Sequence, residues 1–131
     1  MKHPFSPFEN QNYLNMETYR KSGQGVKTPV WFAQEGDTIY VRTFLASGKV
    51  KRVRKNGHIR LAPCKNNGEL LGDWVEAYAE ISDEVTAEKA NQILNRKYGM
   101  TKRMFDFMGK MRGQDYCVLV VKPIAQTEAA V

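Results

Sequence analysis

Residues 47–60, SGKVKRVRKNGHIR, are the part of this chain best furnished for chemistry. Between Lys49 and Arg60, six of twelve positions are Lys or Arg, and neither an acid nor an aromatic interrupts them. On a helix over 47–56, Ser47 becomes a cap and Gly48 lets a ligand approach the backbone closely. Lys49 and Arg52 are three apart and share a face. Val50 and Val53 take the neighbouring face and can dock on the body of the protein, while Lys51, Arg54 and Lys55 point to water. A helix N-terminus adds free N–H groups and partial positive charge, so Ser47, Gly48, Lys49 and Arg52 together could cradle a phosphate. The same run also suits a plain solvated face, the usual fate of charge runs. A single-stranded nucleic-acid surface would interleave aromatics with the bases. Here only Tyr40 and Phe44, upstream, could serve, which argues against nucleic acid as the partner.

Other reactive residues are sparse. Cys64 and Cys117 are far apart and form no C-x-x-C, and His3 and His58 have no ligand-type neighbour at helical spacing. Neither a disulfide nor a protein-bound metal is expected. With no Ser-His-Asp set and no paired carboxylates, no catalytic acid, base or nucleophile is nominated.

These residues sit in a chain of 131 residues, expected to form a single domain over 1–131. The net charge is +6, but residues 1–65 balance at +8 and residues 66–131 at −2, so the basic character belongs to the first half. An anionic partner there is plausible on charge alone. No apolar run approaches the ~20 residues of a membrane span, and MKHPFSPFEN has no apolar signal core, so the expected address is the cytoplasm.

The elements that must position the basic run are mostly strands. NYLNMETY (12–19) alternates weakly and ends at the KSGQG turn. VKTPVWFA (26–33) reads as a strand in which Pro29 marks an edge, a bulge or a departure from the sheet. EGD (35–37) turns into TIYVRTF (38–44). HIRLAPC (58–64) alternates, and 72–81 sets Val75, Ala77, Ala79 and Ile81 against Trp74, Glu76, Tyr78 and Glu80. Two helices are expected near the end. The first, at 82–99, is capped by Ser82 or Thr86, shares a face of Ala87, Ala90, Ile93, Leu94 and Tyr98, and is ended by Gly99. The second runs from Thr101 to Gly113 with a Met104, Phe105, Met108 and Met111 stripe. A closing strand at 115–123 precedes a loose tail. Many short strands in so small a chain imply a barrel.

The succession LNMETYRKSGQGVKTPVWFAQEGDTIYVRT, SGKVKRVRKNGHIRLAPC, NGELLGDWVEA and KYG resembles the pyridoxamine-5′-phosphate-oxidase-like flavoproteins, in particular their small single-domain F420-dependent group. The likeness spans roughly residues 7–123, and TPVWF followed by SGKVKR is its specific part. It implies a mainly β fold, a split β-barrel of the FMN-binding type, usually a homodimer holding FMN or the deazaflavin F420 in a groove between subunits. By the same resemblance, Lys49 and Arg52 match the phosphate-binding pair, with Ser47 and Gly48 at the helix start. Thr43 matches a position at the phosphate end, and Thr28, Pro29, Val30 and Trp31 match the strand along the flavin ring. Arg42 and Trp74 are weaker candidates. Gly48 stands where the founding oxidase has arginine, and the substrate-phosphate site near its C-terminus has no counterpart, which puts oxidation of pyridoxamine phosphate itself in doubt.

The function implied is hydride transfer between a flavin-type cofactor and a small organic substrate. A non-catalytic flavin carrier or sensor on the same fold is the alternative, and a nucleic-acid-binding barrel a more distant one. F420 carries an acidic tail that Lys51, Arg54 and Lys55 could meet, which favours it slightly over FMN.

Overall fold

The computed structural model describes residues 3–98 and 115–124. The expected second helix at 101–113, its methionine stripe and Gly99 lie outside the described residues. The strands are β1 (Tyr13–Tyr19), β2 (Gly25–Trp31), β3 (Ala33–Glu35), β4 (Thr38–Phe44), β5 (His58–Cys64), β6 (Val75–Ile81) and β7 (Tyr116–Pro123), with helices α1 (Gly48–Lys55) and α2 (Glu84–Tyr98). All seven strands join one curled antiparallel sheet in the order β2-β1-β5-β6-β7-β4-β3.

The two outermost strands of that sheet, β2 and β3, are neighbours in the chain. Residues 26–33 are therefore two strands divided at Phe32, not the single strand expected from their composition. The crossover carries the chain from one end of the sheet to the other and curls it into a barrel. Leaving a ladder exposes backbone polar groups, which must find other partners. Tyr98 and Lys97 of α2 supply them. The Phe32 N–H donates to the Tyr98 hydroxyl at 2.9 Å, and the Lys97 ammonium donates to the Phe32 carbonyl at 2.9 Å. The Tyr98 hydroxyl lies 2.7 Å from the Asn12 carbonyl and 2.8 Å from that of Phe32, and its single proton serves one of them at a time.

Pro29 sits in an unbroken register opposite Asn15, on the outermost strand. Of the three readings open to it, the edge is the one found. Every second N–H of an edge strand points away from the sheet, so the proline forfeits no ladder bond there.

Side chains at alternate positions fill the barrel: Leu14 and Met16 from β1, Ile59 and Leu61 from β5, Ala77 and Ala79 from β6, Leu119 and Val121 from β7. The weak alternation of β1 has a physical cause, since both its faces are covered. Asn15 and Glu17, on the outer face, are each only 6% exposed. Asn15 donates to the carbonyl of Gly68 in the overlying loop, and Glu17 accepts from Arg60 Nε at 2.7 Å. Phe5 and Phe8 are fully buried and meet Phe8 and Phe32 edge-on at 5.8 and 6.1 Å. No element was expected there, because two phenylalanines each preceded by a proline have no periodicity to read.

Val50 and Val53 of α1 are buried, as their spacing predicts, and Ser47 caps the helix by accepting from Val50 N–H. The cap of α2 is neither Ser82 nor Thr86. Asp83 accepts from the Thr86 N–H at 2.7 Å, a bond that holds its carboxyl below the ordinary range. Ala90 and Leu94 are buried on the face expected for this helix. No helix among the described residues is long and apolar enough to cross a membrane.

Candidate functional site

The barrel is open where β2 and β4 face each other without hydrogen-bonding, and a cavity of about 330 Å³ occupies that opening. Pro29, Val30 and Trp31 of β2 form one wall, and Arg42, Thr43 and Phe44 of β4 another. Lys49 reaches it from the first turn of α1, and Tyr13, Leu94 and Tyr116 complete the lining. Trp31 is held by stacking on Tyr98, with ring centroids 4.7 Å apart and planes at 11°. Arg42 lies over the Tyr116 ring at 4.1 Å and donates to Asn91 of α2. Glu17 pairs with Arg60.

Of the residues singled out in the sequence, Pro29, Val30, Trp31, Thr43 and Lys49 line this cavity together. Thr28 is one residue short of the wall, opposite Met16. Ser47 stands behind the wall, its hydroxyl 3.4 Å from that of Thr43. A Cβ at Gly48 would come within 2.7 Å of the Arg52 guanidinium, so a larger residue there would displace the end of that side chain. Trp74 is not at the cavity; its ring lies under Arg60 and Lys27, 4.8 and 5.6 Å from the charges.

Arg52 departs most from expectation. It does not line the cavity with Lys49. Its Nε donates to Thr18 at 2.6 Å, and the residue belongs to an adjoining basin of about 430 Å³ with Arg20, Lys21, Lys51 and Lys55. Arg20 and Lys21 come from the β1–β2 turn, and nothing in their local pattern separates them from ordinary turn residues. The two basins are electrostatically joined. Burial pushes the Lys49 ammonium below its ordinary pKa, and the nearby Arg52 pushes it further; burial and then Arg20 do the same to Arg52. No carboxylate among the described residues pairs with Lys49, Arg52 or Arg20. Arg52 disfavours the charge on Lys49, and Arg20 that on Arg52, so an anion placed among them would relieve both.

No family model and no curated protein matches this sequence. Solved structures do. A candidate pyridoxamine 5′-phosphate oxidase from Listeria innocua aligns at a TM-score of 0.64 with 14% identity, over 92% of this chain and 90% of its own. An F420 reductase aligns at 0.58 with 17% identity, over 94% of both chains. The haem storage protein HutZ from Vibrio cholerae aligns at 0.65 with 13% identity, over 88% and 83%.

The chain has the pyridoxamine 5′-phosphate oxidase-like fold.

On this split barrel the neighbours differ by name, an F420 reductase on one side and haem-storage and haem-binding proteins on the other. The shared scaffold therefore does not by itself select a function. The lining residues Tyr13, Leu94 and Tyr116 were not among the candidate site residues, and Phe44 was considered only as a base-stacking aromatic. Each reads locally as a strand or helix core residue, and only the curl of the sheet brings them to one opening.

Proposed function

We propose that this protein is an oxidoreductase that holds FMN or F420 by its phosphate and ring, and that passes hydride to or from a small organic substrate. The observation that carries this reading is the placement of Lys49, desolvated and without an acid partner among the described residues, at one end of a cavity walled by Pro29–Trp31. The residues fit such a group. Lys49, the Thr43 hydroxyl and the Ser47–Gly48 start of α1 would hold the phosphate, and β2 would lie along the ring. When bound, the cofactor supplies the hydride chemistry; the chain supplies binding, orientation and a shielded face. Stacking on Tyr98 fixes Trp31, so one wall is set before any ligand arrives.

The basin of Arg20, Lys21, Lys51, Arg52 and Lys55 suits a ligand with further negative charge beyond the phosphate, which favours F420 over FMN. Neither histidine lines the cavity, so the site offers no imidazole to a haem iron. A second copy of the chain would cover the open side of the cavity, and a homodimer is part of the proposal. Light scattering at micromolar concentration should give twice the chain mass, and a strict monomer that bound cofactor tightly would remove this part.

The direct test is titration of the purified protein with FMN and with F420, followed by turnover with the reduced cofactor and a panel of small acceptors. Binding with turnover supports the enzyme. Binding without turnover makes the protein a carrier or sensor. Binding of neither cofactor at micromolar concentration refutes the assignment.

A further inference from the structure

The outer face of the sheet carries an apolar patch that begins at the cofactor cavity. Alternation along β1 and β2 sends Tyr13, Pro29 and Trp31 to that face, since Tyr13 is opposite Trp31 and Pro29 is opposite the outward Asn15. All three line the cavity, Pro29 exposed and the two aromatics half-buried. Tyr13 is also opposite Cys64 of β5, and Cys64 bridges to Leu70 in the loop that follows. There Leu70 and Leu71 stand side by side, 44% and 50% exposed.

The loop holds these leucines outward on a fixed frame. Gly68, at φ 91°, turns the chain, and its N–H donates to the Lys65 carbonyl at 2.9 Å. The Lys65 N–H donates to the Glu69 carbonyl at 2.9 Å, and the Leu71 N–H to the Pro63 carbonyl at 2.7 Å. Asn15 straps the turn to the sheet by donating to the Gly68 carbonyl at 3.1 Å. A Cβ on Gly68 would sit 4.0 Å from Pro29 Cγ, so the turn lies against the cavity wall.

We propose that a second copy of the chain docks on this face, with the Leu70–Leu71 turn at the centre of the contact, and so closes the cavity.

The docking stands on the patch, and only the consequence for FMN or F420 rests on the proposed function. Two features select a copy of the same chain. A two-fold contact sets one patch against itself, so it needs an apolar centre and a rim with charges of both signs. The leucines are that centre, and the rim carries the Lys65–Glu69 pair, Lys27 and Asp73, balanced in sign. A strongly charged partner would find no field of one sign to read here. The second feature is extent. A stable contact takes about 800 Å² from each partner, far more than two leucine side chains offer. The contact must therefore spread along the face, and the apolar surface continues through Pro29 and Trp31 to the cavity.

The test weighs the full chain without cofactor by light scattering at micromolar concentration. The wild type should weigh two chains. Leu70→Glu and Leu71→Glu each set a carboxylate against its own twin, and each should weigh one chain with an unchanged far-UV circular dichroism spectrum. Val85→Glu, at a position 80% exposed on α2, should remain a dimer. Leu71→Cys covers the case of a charged variant that fails to fold: mild oxidation should link two chains through residue 71, while Val85→Cys should not link. FMN titration reads the closure. Monomeric Leu71→Glu should bind FMN at least about ten-fold more weakly, because a ligand open on one side keeps surface that a pocket normally buries. A monomeric wild type, a dimer that persists in both charged variants, no linkage in Leu71→Cys, or unchanged FMN affinity in the monomer would overturn the proposal. A wild type that dimerises through this face and binds neither FMN nor F420 would support the docking and refute the cofactor reading, so the two failures are distinct.

Discussion

Replacing Lys49 by Met should push affinity and stability in opposite directions. In the free protein the Lys49 ammonium is held below the ordinary lysine pKa of 10.5, by burial first and by Arg52 second. The unfolded chain therefore binds more protons at this site than the folded one. The resulting penalty is fully present below the folded-state pKa and is relieved as pH rises through that value toward 10.5. Methionine removes it, so the urea midpoint at pH 7 should stay level or rise, and any gain should fade at high pH. Cofactor binding should move the other way. A hydrogen bond to a charged group is worth about 1.5–3 kcal/mol, or roughly 10- to 150-fold in Kd for FMN. Arg52→Met gives the contrast. It strips a partner from Thr18, which is fully buried, and should cost about 1 kcal/mol of stability as a lost hydrogen bond. Lys51→Ala and Lys55→Ala, in the adjoining basin, should leave FMN binding nearly unchanged and weaken F420 binding in a salt-dependent way. The assays are flavin fluorescence titration and urea denaturation of the same four variants. Unchanged FMN affinity in Lys49→Met, or affinity lost only in step with stability, would show that Lys49 belongs to a solvated basic face and not to a phosphate site.

Tyr98→Phe should lower stability by about 1–3 kcal/mol, because the Phe32 N–H loses its acceptor where the chain crosses between sheet ends; urea midpoints check it, and an unchanged midpoint would count against the role given to this hydroxyl. Gly25→Ala would place a methyl 2.1 Å from a Glu17 oxygen and drive that buried carboxylate off Arg60. A loss of roughly 3 kcal/mol is expected, at the low end for breaking a buried pair since Arg60 is partly exposed. Thiol titration in denaturant without reductant should find both Cys64 and Cys117 free. In the folded protein both should react slowly, since burial raises both thiols, with Cys117 the faster because Arg54 and Arg42 oppose the rise.

Local pattern was enough to place α1 with its Ser47 cap and its buried Val50 and Val53, because capping and helical spacing are decided within a few residues. It was enough for β4, β5 and β7, whose bounds match their apolar runs to within a residue, and for the inward Ala77 and Ala79 of β6. It marked Lys49 at the helix start, while Pro29–Trp31 and Thr43 were marked only by the family resemblance; the five residues, from three elements, meet at one cavity. What it could not hold was anything set by the curl of the sheet. The break at Phe32 depends on Tyr98 and Lys97, more than sixty residues away, satisfying the backbone groups that leave the ladder. The separation of Arg52 from Lys49 depends on Thr18 offering its hydroxyl beneath α1, which draws the guanidinium into the neighbouring basin. Helical spacing says that two side chains share a face; which of them turns into a cavity is decided by the partners that the rest of the chain brings there.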